Sequence, residues 1–198
     1  MFQYRHKTRL STFAILFFFC LCCSSAHPLQ PEPNALFVRV IDNGPALCTA
    51  IVMPGNHFMI YDAGNYTDGG KECFESIKEV IPEGSDIDLL VLSHTDSDHL
   101  AAVDEICDAY HVKRVIRSGF VRDSQTWKKA AAAVLLERET EGCTDINLKD
   151  VLFLPGSTFR FGEVFVTMVA GWHNPPAEWG PPFLSLCLKS GVELHYMV

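Results

Sequence analysis

The stretch "LSHTDSDHL", Leu92 to Leu100, places His94, Asp96, Asp98 and His99 within six residues. It continues Asp88 to Ser93 (DLLVLS), a nearly unbroken apolar run of the kind expected for a strand covered on both faces. His99 to Tyr110 (HLAAVDEICDAY) then carries the periodicity of an amphipathic helix. The four side chains therefore occupy a loop at the C-terminal edge of a buried strand, held at one end by the sheet. Alternation along such a loop directs His94 and Asp96 to one spot and Asp98 and His99 to a neighbouring one. Imidazole and carboxylate together suit zinc, iron or manganese. Two ions about 3.5–4 Å apart can share a nucleophile and stabilise charge developing on a substrate oxygen. The competing reading is a polar turn in which Asp98 caps the following helix. A cap accounts for one residue and leaves three clustered titratable groups without a role.

The segments on either side predict a mixed α/β fold. Leu36 to Ile41, Leu47 to Val52 and His57 to Tyr61 read as strands, the last two joined by "MPGN", which has hairpin chemistry. Asp62-Ala63-Gly64 closes the third strand. Lys71 to Ile81 shows the i, i+3, i+4, i+7, i+8 stripe of a helix with one buried face and stops at Pro82 and Gly84. Lys113 to Ile116 reads as a strand and Thr126 to Glu139 as an Ala-rich helix. Short strand-like runs return at 151–154, 159–161, 164–169, 184–188 and 192–198. Two sheets with helices outside them are a sensible way to bury these faces.

The first 26 residues stand apart from this pattern. Arg5, Lys7 and Arg9 precede an apolar run, Thr12 to Cys23, and then Ser24-Ser25-Ala26. Twelve helical residues span roughly 18 Å, too little for a hydrocarbon core of about 30 Å. Residues 1–26 are predicted to be a cleaved secretory signal, with an uncleaved anchor as the alternative. On this reading the mature chain is secreted or periplasmic, has no stable membrane span, and carries 13 basic against 24 acidic residues, a net charge of −11. Such a balance lacks the basic footprint of a nucleic-acid binder, although a bound divalent ion reverses the sign locally. Residues 27–35 (HPLQPEPNA) read as an extended Pro-rich leader. Five cysteines remain beyond the signal, Cys48, Cys73, Cys107, Cys143 and Cys187; the odd number leaves at least one unpaired, and the pairing is not readable.

The motif "SHTDSDH" resembles the HxHxDH signature of the metallo-β-lactamase fold, with Asp96 in place of the second histidine. The HxDxDH variant is similar to the metallo-hydrolase domain of competence proteins, the DNA-uptake family. The stretch "FVRVIDNGPALCTAIVMPGNHFMIYDAGN" resembles that family's opening hairpin, ending in a DxG motif at Asp62-Ala63-Gly64, and "FLSLCLKSG" resembles its Ser-Leu strand. The likeness runs from Leu36 to the C-terminus and implies a four-layer αββα sandwich over 36–198 with one or two divalent ions, zinc first, manganese or iron next. It further implies that His94 and Asp96 hold one ion and that Asp98 and His99 hold the other. Asp98 would also orient the nucleophilic water, and Asp62 would support the ligand loop from behind. The plainer reading of Asp62 is a polar residue in a strand-ending turn.

The chain departs from that family at several points. Asn43-Gly44-Pro45-Ala46 stands where the family's opening has more glycine and polar residues, and Pro181-Pro182-Phe183 replaces an expected asparagine. His173, in "AGWHNPP", lies 74 residues after His99, a spacing that fits the fold's third histidine, but its neighbours do not match the Gly-His-Thr context. Its other reading is surface packing, as is that of Trp172 and Trp179, which would otherwise line a pocket. His27, His57, His111 and His195 read as ordinary strand or surface residues. The last run, GVELHYMV, reads as mid-strand, so truncation at Val198 is expected, with the bridging aspartate of a second ion beyond it.

The resemblance thus implies an exported hydrolase that uses a metal-bound hydroxide, with a small-molecule or phosphodiester substrate and nucleic acid as the family's example. Two rivals stand beside it: a lactone, lactam or carboxylic ester hydrolase on the same fold, and a non-catalytic binding module.

Overall fold

The structure, a computed structural model, describes residues 30–65, 69–148, 157–170, 185–189 and 196–197. The expected signal (1–26), the run at 151–154, His173 and both Trp172 and Trp179 lie outside these residues. So do His27 and His195.

A hairpin meander opens the fold. Strand β1 (Phe37–Val40) pairs antiparallel with β2 (Cys48–Met53), and β2 pairs with β3 (His57–Ala63) across the Pro54-Gly55-Asn56 turn. Helix α1 (Lys71–Lys78) then carries the chain back, so that β4 (Asp86–Leu92) lies parallel to β3, with Tyr61 opposite Val91. Two short helices follow, α2 (Ser97–Leu100) and α3 (Val103–Ala109). The chain re-enters the sheet as β5 (His111–Val112) and β6 (Arg114–Arg117), both parallel to β4. Helix α4 (Gln125–Thr140) is capped by the Ser124 hydroxyl, which accepts the Trp127 N–H at 3.1 Å. It leads to β7 (Thr144–Asn147), parallel to β6. A second, antiparallel sheet holds β8 (Thr158–Phe161), β9 (Val164–Ala170), β10 (Ser185–Lys189) and β11 (Tyr196–Met197) in the order β11-β10-β9-β8.

The period of two in β3 and β4 divides the core, because successive side chains leave opposite faces of a strand. Ile60, Leu90, Leu92 and Val115 face the helices, meeting Ile77, Leu100, Ile106 and Trp127. Met59, Tyr61, Leu89, Val91 and Ile116 face the second sheet, meeting Phe161, Val164, Val166 and Met168. Among the described residues, helices, large sheet and small sheet are thus three of the layers of the αββα sandwich. Both faces of β4 are buried, as the apolar run DLLVLS requires.

Two local expectations are corrected, and two features are new. The single helix over 99–110 is two, broken at Ala101-Ala102. The leader is not extended throughout: Asn34 adopts φ 63° and the Ala35 N–H closes a turn onto the Glu32 carbonyl at 3.2 Å. Strand β7 was not expected, since TDIN has no apolar alternation. Cys48 and Cys73 form a disulfide joining β2 to α1, while Cys107 and Cys143 are free.

Candidate metal centre

The site begins with a backbone bend. Asp62 sits near the end of β3 at φ 53°, a left-handed conformation that Asp tolerates better than most residues at a cost of about 1 kcal/mol. The bend places a fully buried carboxylate under the loop that leaves β4. Its Oδ1 accepts the Ser93 N–H at 2.7 Å, and its Oδ2 accepts the Ser93 hydroxyl at 2.5 Å and the His99 Nδ1–H at 2.7 Å. With its Nδ1 engaged in this way, His99 presents Nε2 as its outward lone pair, the orientation of a ligating histidine backed by a carboxylate. The His94 Nδ1 lies 3.1 Å from the Ser93 Oγ, whose proton goes to Asp62, so His94 also turns Nε2 outward. The two rings lie side by side, centroids 3.7 Å apart.

Outside the rings stand the carboxylates. Asp98 Oδ2 is 3.6 Å from His99 Nε2, and Asp96 Oδ2 is 4.0 Å from His94 Nε2. One ligand atom from each of His94, Asp98 and His99 fits within a mutual separation of 4.8 Å, and all three residues are half-buried. Asp96 is not part of that group, and its Oδ1 is paired with the Arg122 guanidinium. The cap position of α2 falls on Asp96, whose side chain makes no capping hydrogen bond, and Asp98 lies inside the turn. Capping therefore does not account for the acidic residues of this loop.

Two imidazoles and one carboxylate are a donor set that fits zinc or another divalent ion. Among the described residues Asp98 has no lysine or arginine partner that would pre-empt it. The electrostatics agree. Burial disfavours the charged form of His99, but the hydrogen bond and charge of Asp62, joined by Asp98 and Asp96, outweigh it and hold the imidazole above its ordinary range. Burial, and then the neighbouring His99, push His94 below that range. The site thus attracts positive charge, and only one of its histidines readily takes that charge as a proton.

The backbone around the loop is tightly clamped, which neither composition nor periodicity disclosed. The Leu47 N–H donates to the Asp98 carbonyl at 2.9 Å and the Ala102 N–H to the Ala63 carbonyl at 2.8 Å. Asn43 Nδ2 donates to the Gly64 carbonyl at 2.6 Å. Gly64 lies so close that a Cβ there would stand 1.6 Å from the Asp98 carbonyl oxygen. Gly70, at φ 102°, packs against Ala101 and Ala102, where a Cβ would meet backbone at 2.6 Å. The signal for Gly64 was present in the sequence as the last residue of the DxG motif; its reason is this close approach.

The sequence profile of the metallo-beta-lactamase superfamily matches residues 41–177. No curated protein matches the chain. Among solved structures, the metallo-beta-lactamase fold protein YhfI from Bacillus subtilis is similar at 14% identity and a TM-score of 0.49, over 81% of this chain and 61% of that one. A metallo-beta-lactamase from Cronobacter sakazakii, a HARLDQ motif mutant, aligns at 15% identity and a TM-score of 0.48, over 81% and 60%. The chemotaxis sensor ODP, solved as a peroxy diiron species, aligns at 15% identity and a TM-score of 0.49, over 81% and 60%. The chain spans about three-fifths of the length of these structures.

Proposed function

Since this chain belongs to the metallo-beta-lactamase superfamily, we propose that it is an exported, metal-dependent hydrolase acting on phosphodiester-type substrates. The observation that carries the reading is the convergence of His94, Asp98 and His99 on one point, backed by the buried Asp62. His94 Nε2, His99 Nε2 and one Asp98 oxygen would hold the first ion, with Asp96 in reach for further coordination and His173 a candidate that lies outside the described residues. A bound divalent ion supplies a Lewis acid that brings the pKa of water toward neutrality and neutralises charge on a substrate oxygen. The chain's own part is positional and protonic. Asp62 fixes the His99 tautomer, Ser93 relays that constraint to His94, and the remaining Asp98 oxygen orients the attacking water and accepts its proton.

Zinc is the first choice for an N,N,O donor set, with manganese or iron next. The phosphodiester preference is supported by the HxDxDH pattern and its likeness to the competence-protein branch. Export is supported by the composition of residues 1–26 and by the Cys48–Cys73 disulfide, a bond that persists in oxidising compartments. Among the described residues, no helix is long and apolar enough to cross a membrane. The net charge of −11 beyond residue 26 favours a second reading, a neutral lactone, lactam or ester as substrate, because a polyanion would be repelled at long range.

The test is metal analysis of the purified chain with and without chelator, followed by a panel of bis-p-nitrophenyl phosphate, a lactone and a cephalosporin. About one zinc per chain and chelator-sensitive phosphodiester turnover are expected. Turnover of the lactone or cephalosporin alone would replace the substrate assignment, and activity indifferent to chelation would end the hydrolase reading. Asp98→Ala should abolish turnover and leave the circular dichroism spectrum unchanged.

A further inference from the structure

We propose that Arg122 is a built-in competitor for the cation at Asp96, so that His94, Asp98 and His99 take an ion first and Asp96 joins only when the guanidinium lets go. The inference rests on the metal-site reading above and asks how the second aspartate of the motif is controlled. The two aspartates are chemically alike, two residues apart, and differently committed. Asp98 faces His99 with no lysine or arginine beside it among the described residues. Asp96 already holds a cation: its Oδ1 is paired with Arg122 Nη1, while its Oδ2 points toward His94 Nε2 at 4.0 Å.

Arg122 arrives from a different part of the chain, 26 residues on, in the segment between β6 and α4. That segment is anchored at its far end by the Ser124 cap of α4, which leaves Arg122 two residues from a fixed point of the backbone. Among the described residues Asp96 is its only ion-pair partner. The pair is substantially open to water, with side chains 51% and 36% exposed. An ion pair this exposed adds little to stability and is readily exchanged. A divalent ion brings twice the charge to the same carboxylate, whose Oδ2 faces the site, so a shift of that carboxylate toward the metal is favoured once an ion is delivered. Arg122 therefore acts as a positioning residue through Asp96, holding the carboxylate pointed at the site while taxing its use as a ligand.

The experiment is a zinc titration by calorimetry, with metal counting, on the full chain and on Arg122→Met, Arg122→Lys, Asp96→Ala and the Arg122→Met, Asp96→Ala double variant. Arg122→Met is expected to bind zinc about two- to five-fold more tightly, the range set by exposed ion pairs, and Arg122→Lys to stay near the parent. The gain should vanish once Asp96 is alanine, because Arg122 then has nothing to withhold. A gain that persists without Asp96 would mean that Arg122 merely lowers the general cation affinity of the region, and unchanged binding in Arg122→Met would mean that it does not compete; either overturns the proposal. His99→Ala separates the two levels. Zinc uptake lost in His99→Ala but unaltered in Arg122→Met overturns this inference alone, while uptake indifferent to His99→Ala overturns the metal-site reading with it.

Discussion

Strands β3 and β4 run parallel, and each end of the pair carries an imidazole set against a buried carboxylate. At the N-terminal end His57 Nδ1 lies 2.9 Å from Asp88 Oδ2; at the C-terminal end His99 Nδ1 lies 2.7 Å from Asp62 Oδ2. The ends differ in what stands on the far side. Asp88 shares its other oxygen with Lys113 Nζ at 3.2 Å, and the same ammonium reaches Asp86 at 3.0 Å, where His111 also sits. The lysine ammonium already supplies the positive charge, and it holds Asp86 below the ordinary carboxylate range. At the other end the outward nitrogen of His99 faces Asp98 with no lysine or arginine between them. A carboxylate–imidazole pair is thus not itself a metal site. It becomes a candidate where further donors converge on its outer face and meet carboxylate that lysine or arginine has not neutralised.

The severest way to break this contrast is Gly64→Ala. A methyl group there would stand 1.6 Å from the Asp98 carbonyl oxygen, so the loop or β3 must move. We expect a loss of more than about 3 kcal/mol in thermal or denaturant unfolding, and zinc uptake should fall with it.

The next comparison is between the two acids. Asp62→Ala strands the Ser93 N–H, the Ser93 hydroxyl and the His99 N–H, three donors at a buried position. It should cost about 2–3 kcal/mol of stability and lower zinc affinity by roughly 10- to 100-fold. Asp88→Ala should cost about 1–2 kcal/mol and leave zinc affinity alone. Equal losses of affinity in the two variants would erase the distinction between the ends.

Titration sharpens it further. Because the folded chain raises the pKa of His99, that imidazole is protonated and unable to ligate below a point lying above its ordinary value. Metal binding must expel the proton, so affinity should fall as pH drops through that point, by up to about tenfold per pH unit for one proton released. His94, shifted downward by burial and the neighbouring His99, gives up its proton at lower pH than His99 does. Zinc titrations at pH 8, 7 and 6 read the slope, and an affinity that stays flat across them would overturn the expectation.

The smallest effect is expected for Lys113→Met, which vacates the cation at the N-terminal end. The side chain is partly exposed, so about 1 kcal/mol or less should be lost. No new zinc site should appear, since Asp86, Asp88, His57 and His111 do not converge as the C-terminal group does.

Much of the frame was legible in the residues. DLLVLS announced a strand buried on both faces, and the stripe in Lys71 to Ile81 announced α1, because in each case burial leaves a period in the sequence. The site residues were legible as a cluster for the same local reason, with six positions holding four donors. What the sequence hid depended on contacts made across the chain. Thr144–Asn147 became β7 because β6 offers it an open edge, and its own polar residues say nothing of that. The break between α2 and α3 comes with Gly70 pressing on Ala101 and Ala102 from 31 residues away. Nothing in SHTDSDH shows that Arg122 pairs with Asp96 and not with Asp98. The pairing of Cys48 with Cys73 likewise followed from where α1 docks.

That disulfide has a reach beyond its own two atoms. Cys48 comes directly after the residue whose amide grips the Asp98 carbonyl, and Cys73 lies in the helix whose leading Gly70 seats the turn behind His99. The sulfur bridge therefore braces, from both flanks, a candidate coordination shell to which it donates nothing. Two batches of the same polypeptide, one produced in a thiol-reducing host and one where thiols oxidise, should differ in metal occupancy although every donor is present in both.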